Sequence, residues 1–290
     1  MSVETLCIGS ALWDVIGHAD RPMEMGFDRP GRISRHPGGV ALNVAYALVR
    51  SGVTPTMLTA IGRDPDGDTL IAQMASDGVD CQQITRVNDR TDMYMAIEHE
   101  GDLFGAVADC AALEKAGTTI FDPLTDGRIG DGGGFKGTAI IDGNLPVPVL
   151  EHVVESGILA EATVLFVPAS PGKARRMTAI LNAAGATICV NRIEAEIICN
   201  SSFDDSWEAA IALAALGCSA IVTDSARPAS LIRDGNLYST TPPDVEVFRI
   251  TGAGDAFLAG FVAAQLEGRN DPACLDAAAA AAALYISEPM

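Results

Sequence analysis

The chain has few basic residues and no apolar run as long as a membrane span. Its 290 residues include 19 lysines and arginines against 38 aspartates and glutamates, which gives a formal net charge of −19 and a pI of about 4.4. A surface of this charge repels nucleic-acid backbones and acidic membranes. A transmembrane helix needs about 20 consecutive apolar residues, so none is predicted. We therefore expect neither a nucleic acid nor a membrane as a partner.

Paired-cysteine motifs and metal-type histidine spacings are also missing. The seven cysteines include no C-x-x-C pair, several lie inside apolar runs, and the four histidines have no spacing typical of metal ligands. This pattern favours buried, reduced thiols over zinc ligands or a disulfide framework. No basic segment followed by a long apolar core is evident at the N-terminus, so we predict no signal peptide and a cytoplasmic location.

Hydrophobic residues make up 48% of the chain, which is too many for a disordered protein. Short apolar runs alternate with segments of helical periodicity. This alternation predicts an α/β fold in three layers, with a mostly parallel sheet flanked by helices. The predicted strands cover residues 6–9, 56–61, 138–141, 164–167, 187–190 and 220–223. The predicted helices cover residues 40–50, 67–77, 173–184, 205–216, 255–267 and 272–286.

Two stretches interrupt this alternation. Residues 13–35 are rich in glycine, proline and charge, and residues 93–107 are predicted to form a β-hairpin with its turn near residues 100–102. With their margins, at about 12–35 and 91–108, we expect these stretches to form a small β structure attached to a single domain that spans residues 1–290. A hairpin without a functional role is the alternative.

The most informative motif is a glycine-rich turn, Thr251-Gly252-Ala253-Gly254-Asp255, which opens an apolar helix. Glycines permit a tight turn, and a helix N-terminus has unpaired N–H donors and a partial positive charge. Both properties suit a bound phosphate. Asp255 would lie beside the phosphate as a base for an attacking hydroxyl, as phosphoryl transfer requires. Taken alone, the motif is equally consistent with a loop and an N-cap.

A second glycine turn, Gly38-Gly39, leads into another predicted helix that carries Asn43 close to its apolar face. A buried amide is costly unless it is hydrogen-bonded. Asn43 is therefore either a structural amide that fixes a loop or a group aimed at ligand hydroxyls.

A third element, Asn191 and Glu194, follows the predicted strand 187–190. Open α/β sheets bind ligands beyond the carboxyl ends of their strands. The two residues are three apart and would share a helix face. Such a pair is either a metal site or a capping arrangement.

In this order, the three elements resemble the ribokinase-like (phosphofructokinase-B type) family of sugar and nucleoside kinases. The resemblance covers essentially the whole chain and includes Gly9-Ser10 and Asp14 after the first predicted strand. Within the family, the chain is most similar to the pseudouridine kinases. The resemblance implies a ribokinase-like fold in which the small β structure is a lid that excludes water from the substrate. It also implies a homodimer formed through the lid.

The implied reaction is transfer of the γ-phosphoryl group of ATP to a primary hydroxyl, with the 5′-hydroxyl of pseudouridine as the leading candidate. Another nucleoside or sugar as the acceptor, or a degenerate binding sensor without activity, are the alternatives. By resemblance, Asp255 is the catalytic base, and the N–H groups of Gly252, Ala253 and Gly254 form an anion hole. ATP and Mg²⁺ are the implied cofactors.

The resemblance also assigns binding roles to further residues. Those implied to hold substrate hydroxyls are Asp14, Gly38, Gly39 and Asn43. Those implied to lie at the nucleotide are Thr223, Thr251, Asn191 and Glu194. The last two are also implied to organise Mg²⁺, mainly through water, because magnesium usually keeps several of its waters.

The sequence departs from the family pattern in two places. Arg249 and Ile250 stand where many relatives have Asp-Thr, which removes a carboxylate that often helps to hold a monovalent cation. A fixed positive charge from Arg249 would make K⁺ unnecessary. Ser225 and Pro228 stand where glycines are expected beside the nucleotide. Because non-glycine residues tolerate positive φ poorly, we expect a changed loop shape there.

Overall fold

The computed structural model describes residues 3–100, 102–130, 134–181 and 185–288. Its strands, in chain order, are β1 (Thr5–Ile8), β2 (Leu12–Ala19), β3 (Gly31–Gly38), β4 (Thr56–Leu58), β5 (Ala60–Gly62), β6 (Thr85–Val87), β7 (Met93–His99), β8 (Asp102–Asp109), β9 (Thr138–Asp142), β10 (Thr163–Val167), β11 (Thr187–Asn191), β12 (Ser219–Asp224), β13 (Arg227–Arg233) and β14 (Asn236–Thr240).

The helices lie between these strands and at the end of the chain. They are α1 (Val40–Arg50), α2 (Pro65–Ser76), α3 (Ala111–Ala116), α4 (Asp122–Thr125), α5 (Val147–Ser156), α6 (Arg192–Cys199), α7 (Ser206–Ala215), α8 (Ala253–Leu266) and α9 (Asp271–Ser287). Residues Gly117–Phe121 and Pro171–Ile180 form 3₁₀ turns. In the described ranges, no helix is long and apolar enough to cross a bilayer.

The central sheet has eight strands in the order β14-β13-β12-β11-β10-β9-β1-β4. From β4 to β12 its neighbours run parallel, while β13 and β14 continue the sheet as an antiparallel hairpin. The predicted three-layer α/β fold with a mostly parallel sheet is confirmed. Its parallel arrangement brings the carboxyl ends of β1, β9, β10, β11 and β12 to one edge.

Two hydrophobic cores cover the two faces of this sheet. Alternate residues of a strand point to opposite faces, so Leu6 and Ile8 contribute to one core and Cys7 to the other. The first core is completed mainly by α3, α5, α6 and α7, and the second by α1, α2, α8 and α9. Both cores hold side chains with no exposed surface, which explains the near-continuous apolar runs of the parallel strands.

Local sequence signals account for where several helices begin. Asp64 caps α2 by accepting the N–H of Gly67 at 2.7 Å, and Pro65 follows at the first helical position. Asp205 caps α7 by accepting the N–H of Glu208 at 2.9 Å, and Asn270 caps α9. These caps satisfy backbone donors that have no partner inside the helix.

A second sheet, which we call the small sheet, has the strand order β3-β2-β7-β8. Its strands lie in the two stretches that interrupt the α/β alternation. Trp13 anchors it to the start of α2, because its ring N–H donates to Asp66 O at 3.0 Å. Arg35 packs 4.0 Å from the Trp13 ring centroid and pairs with Asp66 at 2.6 Å. The predicted hairpin turn includes residue 101, which lies outside the described ranges.

Two sequence-based element predictions were incomplete. The predicted strand 56–61 divides at Thr59, because β4 pairs with β1 whereas β5 leaves the central sheet to pair with β6. The predicted helix 173–184 is a run of 3₁₀ turns over Pro171–Ile180, and its residues 182–184 lie outside the described ranges. Helices α3, α4, α5 and α6, strand β6 and the β13–β14 hairpin were not predicted as separate elements.

Candidate active site

The candidate site lies beyond the carboxyl ends of β1, β9 and β11. Ser10 follows β1, Asp142 ends β9, and Asn191 ends β11. The starts of α1 and α8 lie at the same edge. The Asp142 carboxylate accepts the N–H of Ala41 in α1, and its negative charge raises the pKa of Asp255 in α8. In a parallel sheet, this edge is where ligands bind.

Asp142 is the most heavily hydrogen-bonded side chain at this edge. It is 1% exposed and accepts from Ser10 N at 2.8 Å and from Ser10 Oγ at 2.6 Å. It also accepts from Ala41 N at 2.9 Å and from Asn144 N at 2.8 Å. A Cβ added at Gly9 would lie 2.5 Å from the carboxylate carbon, so this close approach requires glycine. The carboxylate thus joins the loop after β1, the start of α1 and the end of β9.

The Gly38–Gly39 turn places the second group of predicted site residues. Gly39 has φ +99° and is the N-cap of α1, while Gly38 lies against the side chain of Asp14. Half-burial raises the pKa of Asp14 above its ordinary value, and the nearby His36 opposes the shift. The structure therefore brings Asp14, Gly38 and Gly39 together at the junction of the small sheet and α1.

Asp255 is the third residue of α8 and is half-buried at the same edge. Burial raises the pKa of its carboxyl group to about 7, and the negative charge of Asp142 adds to the rise. A hydrogen bond with the side chain of Asn43 acts in the opposite direction. Asn43 and Asp255, which are more than 200 residues apart, are therefore neighbours. The carboxyl group of Asp255 is poised to change protonation near neutral pH.

The turn before α8 has the conformation expected of an anion cradle. Gly252 has φ +89° and is the N-cap, with no side-chain cap. Among the described residues, the N–H groups of Gly252 and Gly254 have no backbone partner, whereas the N–H of Ala253 donates to Ile250 O at 3.1 Å. Of the three N–H groups expected to form the anion hole, that of Ala253 is therefore hydrogen-bonded within the turn in this conformation. Gly252 and Gly254 remain open to an anion.

Asn191 and Glu194 form the capping arrangement that the sequence left open as an alternative. Glu194 N donates to Asn191 Oδ1 at 2.9 Å, and Asn191 N donates to Glu194 Oε2 at 3.0 Å. Glu194 is 7% exposed, and burial raises the pKa of its carboxyl group. No hydrogen bond to its Oε1 is found in the described ranges. One carboxylate oxygen therefore caps α6 and the other is uncommitted.

The buried Cys189 thiol shows that Glu194 and Asp255 belong to one region. Burial raises the pKa of this thiol to about 12, and the negative charges of both carboxyl groups contribute. Among the described residues, no three histidine, cysteine or acidic side chains are placed to hold a metal ion. Any Mg²⁺ here would therefore depend on phosphate and water oxygens together with Glu194 and Asn191, as magnesium commonly does.

In the loop where Ser225 and Pro228 replace the expected glycines, Ser225 adopts the left-handed backbone conformation. Ser225 has φ +55° in the two-residue turn between β12 and β13, at a cost of about 1–2 kcal/mol for a side chain that is not glycine. Asp224 next to it is paired with Arg192 at 3.1 Å and with Arg227. Thr223 lies opposite Asn191 in the sheet register. The loop is therefore fixed by ion pairs, and it keeps Thr223 at the site edge.

Thr251 is exposed in the turn before α8. The guanidinium of Arg249 is paired with other groups and is not directed at this turn. It pairs with Glu288 at 2.8 Å and lies 3.9 Å from the ring centroid of Tyr285. The positive charge of Arg249 is therefore fixed in place by the end of α9.

Sequence reasoning missed Asp142 and two neighbours. Asn144 Nδ2 donates to Ser10 Oγ at 2.8 Å, and Lys173 donates to Asn144 Oδ1. The signal was present, because Asp142 and Asn144 lie at the carboxyl end of a buried parallel strand, as Asn191 does. It was overlooked because neither residue belongs to a glycine motif.

Comparison with known proteins identifies the family. A family model described as the pfkB family carbohydrate kinases matches residues 4–289. The pseudouridine kinase of Escherichia coli is 27% identical over 277 residues, which cover 90% of this chain and 83% of that protein. A ribokinase structure from Thermotoga maritima superposes with a TM-score of 0.83 at 20% identity and covers 99% of this chain and 94% of that one.

A ribokinase from Arabidopsis thaliana, solved with ribose and ATP, superposes with a TM-score of 0.82 at 20% identity and covers 99% of this chain and 93% of that one. The chain belongs to the pfkB family of carbohydrate kinases. It is a phosphotransferase that acts on an alcohol group, and its fold is ribokinase-like.

We predict that Asp142→Asn destabilises the protein by about 3–5 kcal/mol, because an amide cannot accept all the donors that converge on the buried carboxylate. Chemical denaturation would measure the change. Asp126→Asn is the matched control, since Asp126 is exposed and forms a surface ion pair with Arg128, and it should leave the denaturation midpoint unchanged. Equal midpoints for Asp142→Asn and wild type would show that the carboxylate does not hold these loops.

Proposed function

We propose that this kinase phosphorylates the 5′-hydroxyl of a nucleoside, converting pseudouridine to pseudouridine 5′-phosphate with ATP as the donor. The observation that carries the proposal is the position of Asp255, directly beside the open N–H groups at the start of α8 and within reach of Asn43. The similarity to the pseudouridine kinase of Escherichia coli supports the choice of substrate.

In this proposal, Asp255 orients the attacking hydroxyl and accepts its proton. A carboxylate is a weak base for an alcohol, so the proton moves late, as the bond to phosphorus forms. The pKa of about 7 makes Asp255 a stronger base than an ordinary aspartate while a large fraction stays ionised at neutral pH. The N–H groups of Gly252 and Gly254 stabilise the charge that develops on the transferred group.

The substrate hydroxyls are proposed to bind between Asp14, the Gly38–Gly39 turn and Asn43. Asp14 accepts hydrogen bonds from hydroxyls, and the uncovered backbone at Gly39 permits close approach of the sugar. Asn43 contacts Asp255, so a ribose bound to Asn43 would present its primary hydroxyl to the base. The small sheet, attached at β2 and β3, would cover the sugar and exclude water.

The residues present fit ATP and Mg²⁺. The start of α8 suits phosphate oxygens, and the uncommitted oxygen of Glu194 suits a magnesium-bound water. Asn191 would assist Glu194, while Thr223 and Thr251 would lie along the nucleotide. Bound Mg²⁺ supplies neutralisation of phosphate charge.

We further propose that K⁺ is not required, because Arg249 stands where many relatives have a carboxylate that helps to hold the cation, and its positive charge is fixed beside the segment before α8. Equal rates in sodium and potassium buffers are expected. Strong activation by K⁺ would contradict this proposal.

We predict that Asp255→Asn abolishes most turnover and leaves nucleoside binding nearly unchanged, because the carboxylate acts mainly in the transition state. In the wild type, kcat/KM should fall as the pH drops below about 7, since protonation removes the base. Steady-state kinetics across pH, with calorimetry for binding, would check both points. Asp68→Asn, an exposed first-turn change in α2, is the control and should keep the wild-type profile.

The substrate is tested by measuring ATP-dependent phosphorylation of pseudouridine, uridine, adenosine, ribose and fructose. We expect turnover of pseudouridine to exceed that of the others. Preference for another member of the panel would keep the kinase chemistry and replace the substrate. Binding without turnover for every member would overturn the catalytic proposal in favour of a sensor, and attention would turn to the Ser225 loop.

We also propose that the protein is a cytoplasmic homodimer paired through the small sheet. One face of that sheet is apolar and open, with Ile33 80%, Met95 52% and Val107 71% exposed. The register of β2, β7 and β8 places Val15, Met95 and Val107 in one row. Light scattering should give twice the 30.1 kDa chain mass, and Val107→Glu should halve it. A monomeric wild type would reject the dimer.

A further inference from the structure

The segment before α8, residues 248–252, makes few stabilising contacts within itself. It forms neither helix nor strand, and Ile250 is 78% and Phe248 45% exposed. Its backbone bonds to the rest of the chain through the N–H of Phe248, which donates to Ile286 O at 2.8 Å. Because apolar burial is slight here, the position of this segment depends on contacts with the end of α9.

Arg249 supplies most of those contacts. Its Nε donates to Tyr285 O at 2.9 Å, and its Nη2 pairs with Glu288 at 2.8 Å. Its guanidinium also lies 3.9 Å from the Tyr285 ring centroid, and Arg50 lies 5.4 Å from the same centroid. The planar guanidinium thus contacts the Tyr285 carbonyl, the Glu288 carboxylate and the Tyr285 ring at the same time. A lysine ammonium could not make all three contacts.

Tyr285 in turn contacts the residue on which the phosphate cradle depends. A Cβ added at Gly252 would lie 2.5 Å from the Tyr285 hydroxyl oxygen and 2.9 Å from its Cζ. The ring therefore packs directly against the backbone of the N-cap, where φ is +89°. Contacts run continuously from Glu288 through Arg249 and Tyr285 to Gly252.

We propose that Arg249 is a positioning residue that, with Tyr285 and Glu288, holds the Gly252–Gly254 turn in the conformation that receives the transferred phosphoryl group. This inference rests on the proposed role of the turn as the anion site. The end of α9 is thereby part of the catalytic apparatus, although it touches no substrate.

The physical reason is preorganisation. A turn that contains two glycines samples many backbone conformations, and ordering it during the reaction would cost conformational entropy. Donors that are already fixed stabilise developing charge without that cost. Arg249 acts through Tyr285, which packs against the backbone of Gly252, and the N–H groups of Gly252 and Gly254 stay open.

The test compares Arg249→Ala with Arg233→Ala. Arg233 has matched chemistry at the other end of α9, since it pairs with Asp271 at 2.7 Å and lies 5.5 Å from the Phe261 ring centroid. We expect Arg249→Ala to lower kcat by about 10-fold or more, with the nucleoside KM within about twofold of wild type. Arg233→Ala should keep kcat while losing comparable thermal stability.

Amide hydrogen exchange gives a readout that does not depend on the substrate. The amides of Ala253 and Ala256 donate to Ile250 O and Gly252 O, so their protection depends on the conformation of the turn. Faster exchange of these two amides is expected in Arg249→Ala and not in Arg233→Ala. Millimolar guanidinium should restore part of the lost kcat of Arg249→Ala by entering the vacated place, whereas Arg249→Lys should stay impaired.

Two results would overturn the proposal. One is unchanged exchange and kcat in Arg249→Ala, and the other is an equal loss of kcat in Arg233→Ala, which would indicate general destabilisation. If the wild type phosphorylates none of the nucleosides and sugars, the proposed substrate fails. The exchange comparison would still decide whether Arg249 holds the turn.

Discussion

The arrangement of the site depends on one buried carboxylate. A charged group without solvent is stable only if donors surround it, and Asp142 obtains them from Ser10, Ala41 and Asn144. Each donor belongs to a different segment, so satisfying the charge fixes the loop after β1, the start of α1 and the end of β9 together. The Gly38–Gly39 turn and Asn43 take their positions from this arrangement, because both lie at the start of α1.

The same charge acts on Asp255. Burial and the negative charge of Asp142 together raise the pKa of Asp255 to about 7, while Asn43 opposes the rise. A residue that organises the loops therefore also adjusts the proton affinity of the candidate base. With a net charge of −19, the surface as a whole does not attract phosphate, whereas the open N–H groups at the start of α8 suit an anion.

The opposite side of the Gly252–Gly254 turn is supported by packing between the last two helices. A Cβ at Gly260 would lie 2.5 Å from Ala281 Cβ, so α8 and α9 approach closely. This approach brings the end of α9 to the Gly252 turn, where Tyr285 and Arg249 hold it. The long alanine-rich sequence of α9 permits this close packing, because small side chains let the helix backbones meet.

The sequence by itself determined features that are local in the chain. Hydrophobic periodicity predicted the strands and helices of the α/β fold. Turn chemistry predicted the start of α1 and, two residues late, that of α8, and it left the Asn191–Glu194 capping pair as an alternative. These signals require only neighbouring residues. Tertiary structure alone decided the distant partners of Asp142, which are 132 and 101 residues away, and those of Arg249, which are 36 and 39 residues away. It also decided that β5 leaves the central sheet for β6. Contacts of that separation leave no periodic signal, since they arise only when the folded chain brings distant segments together.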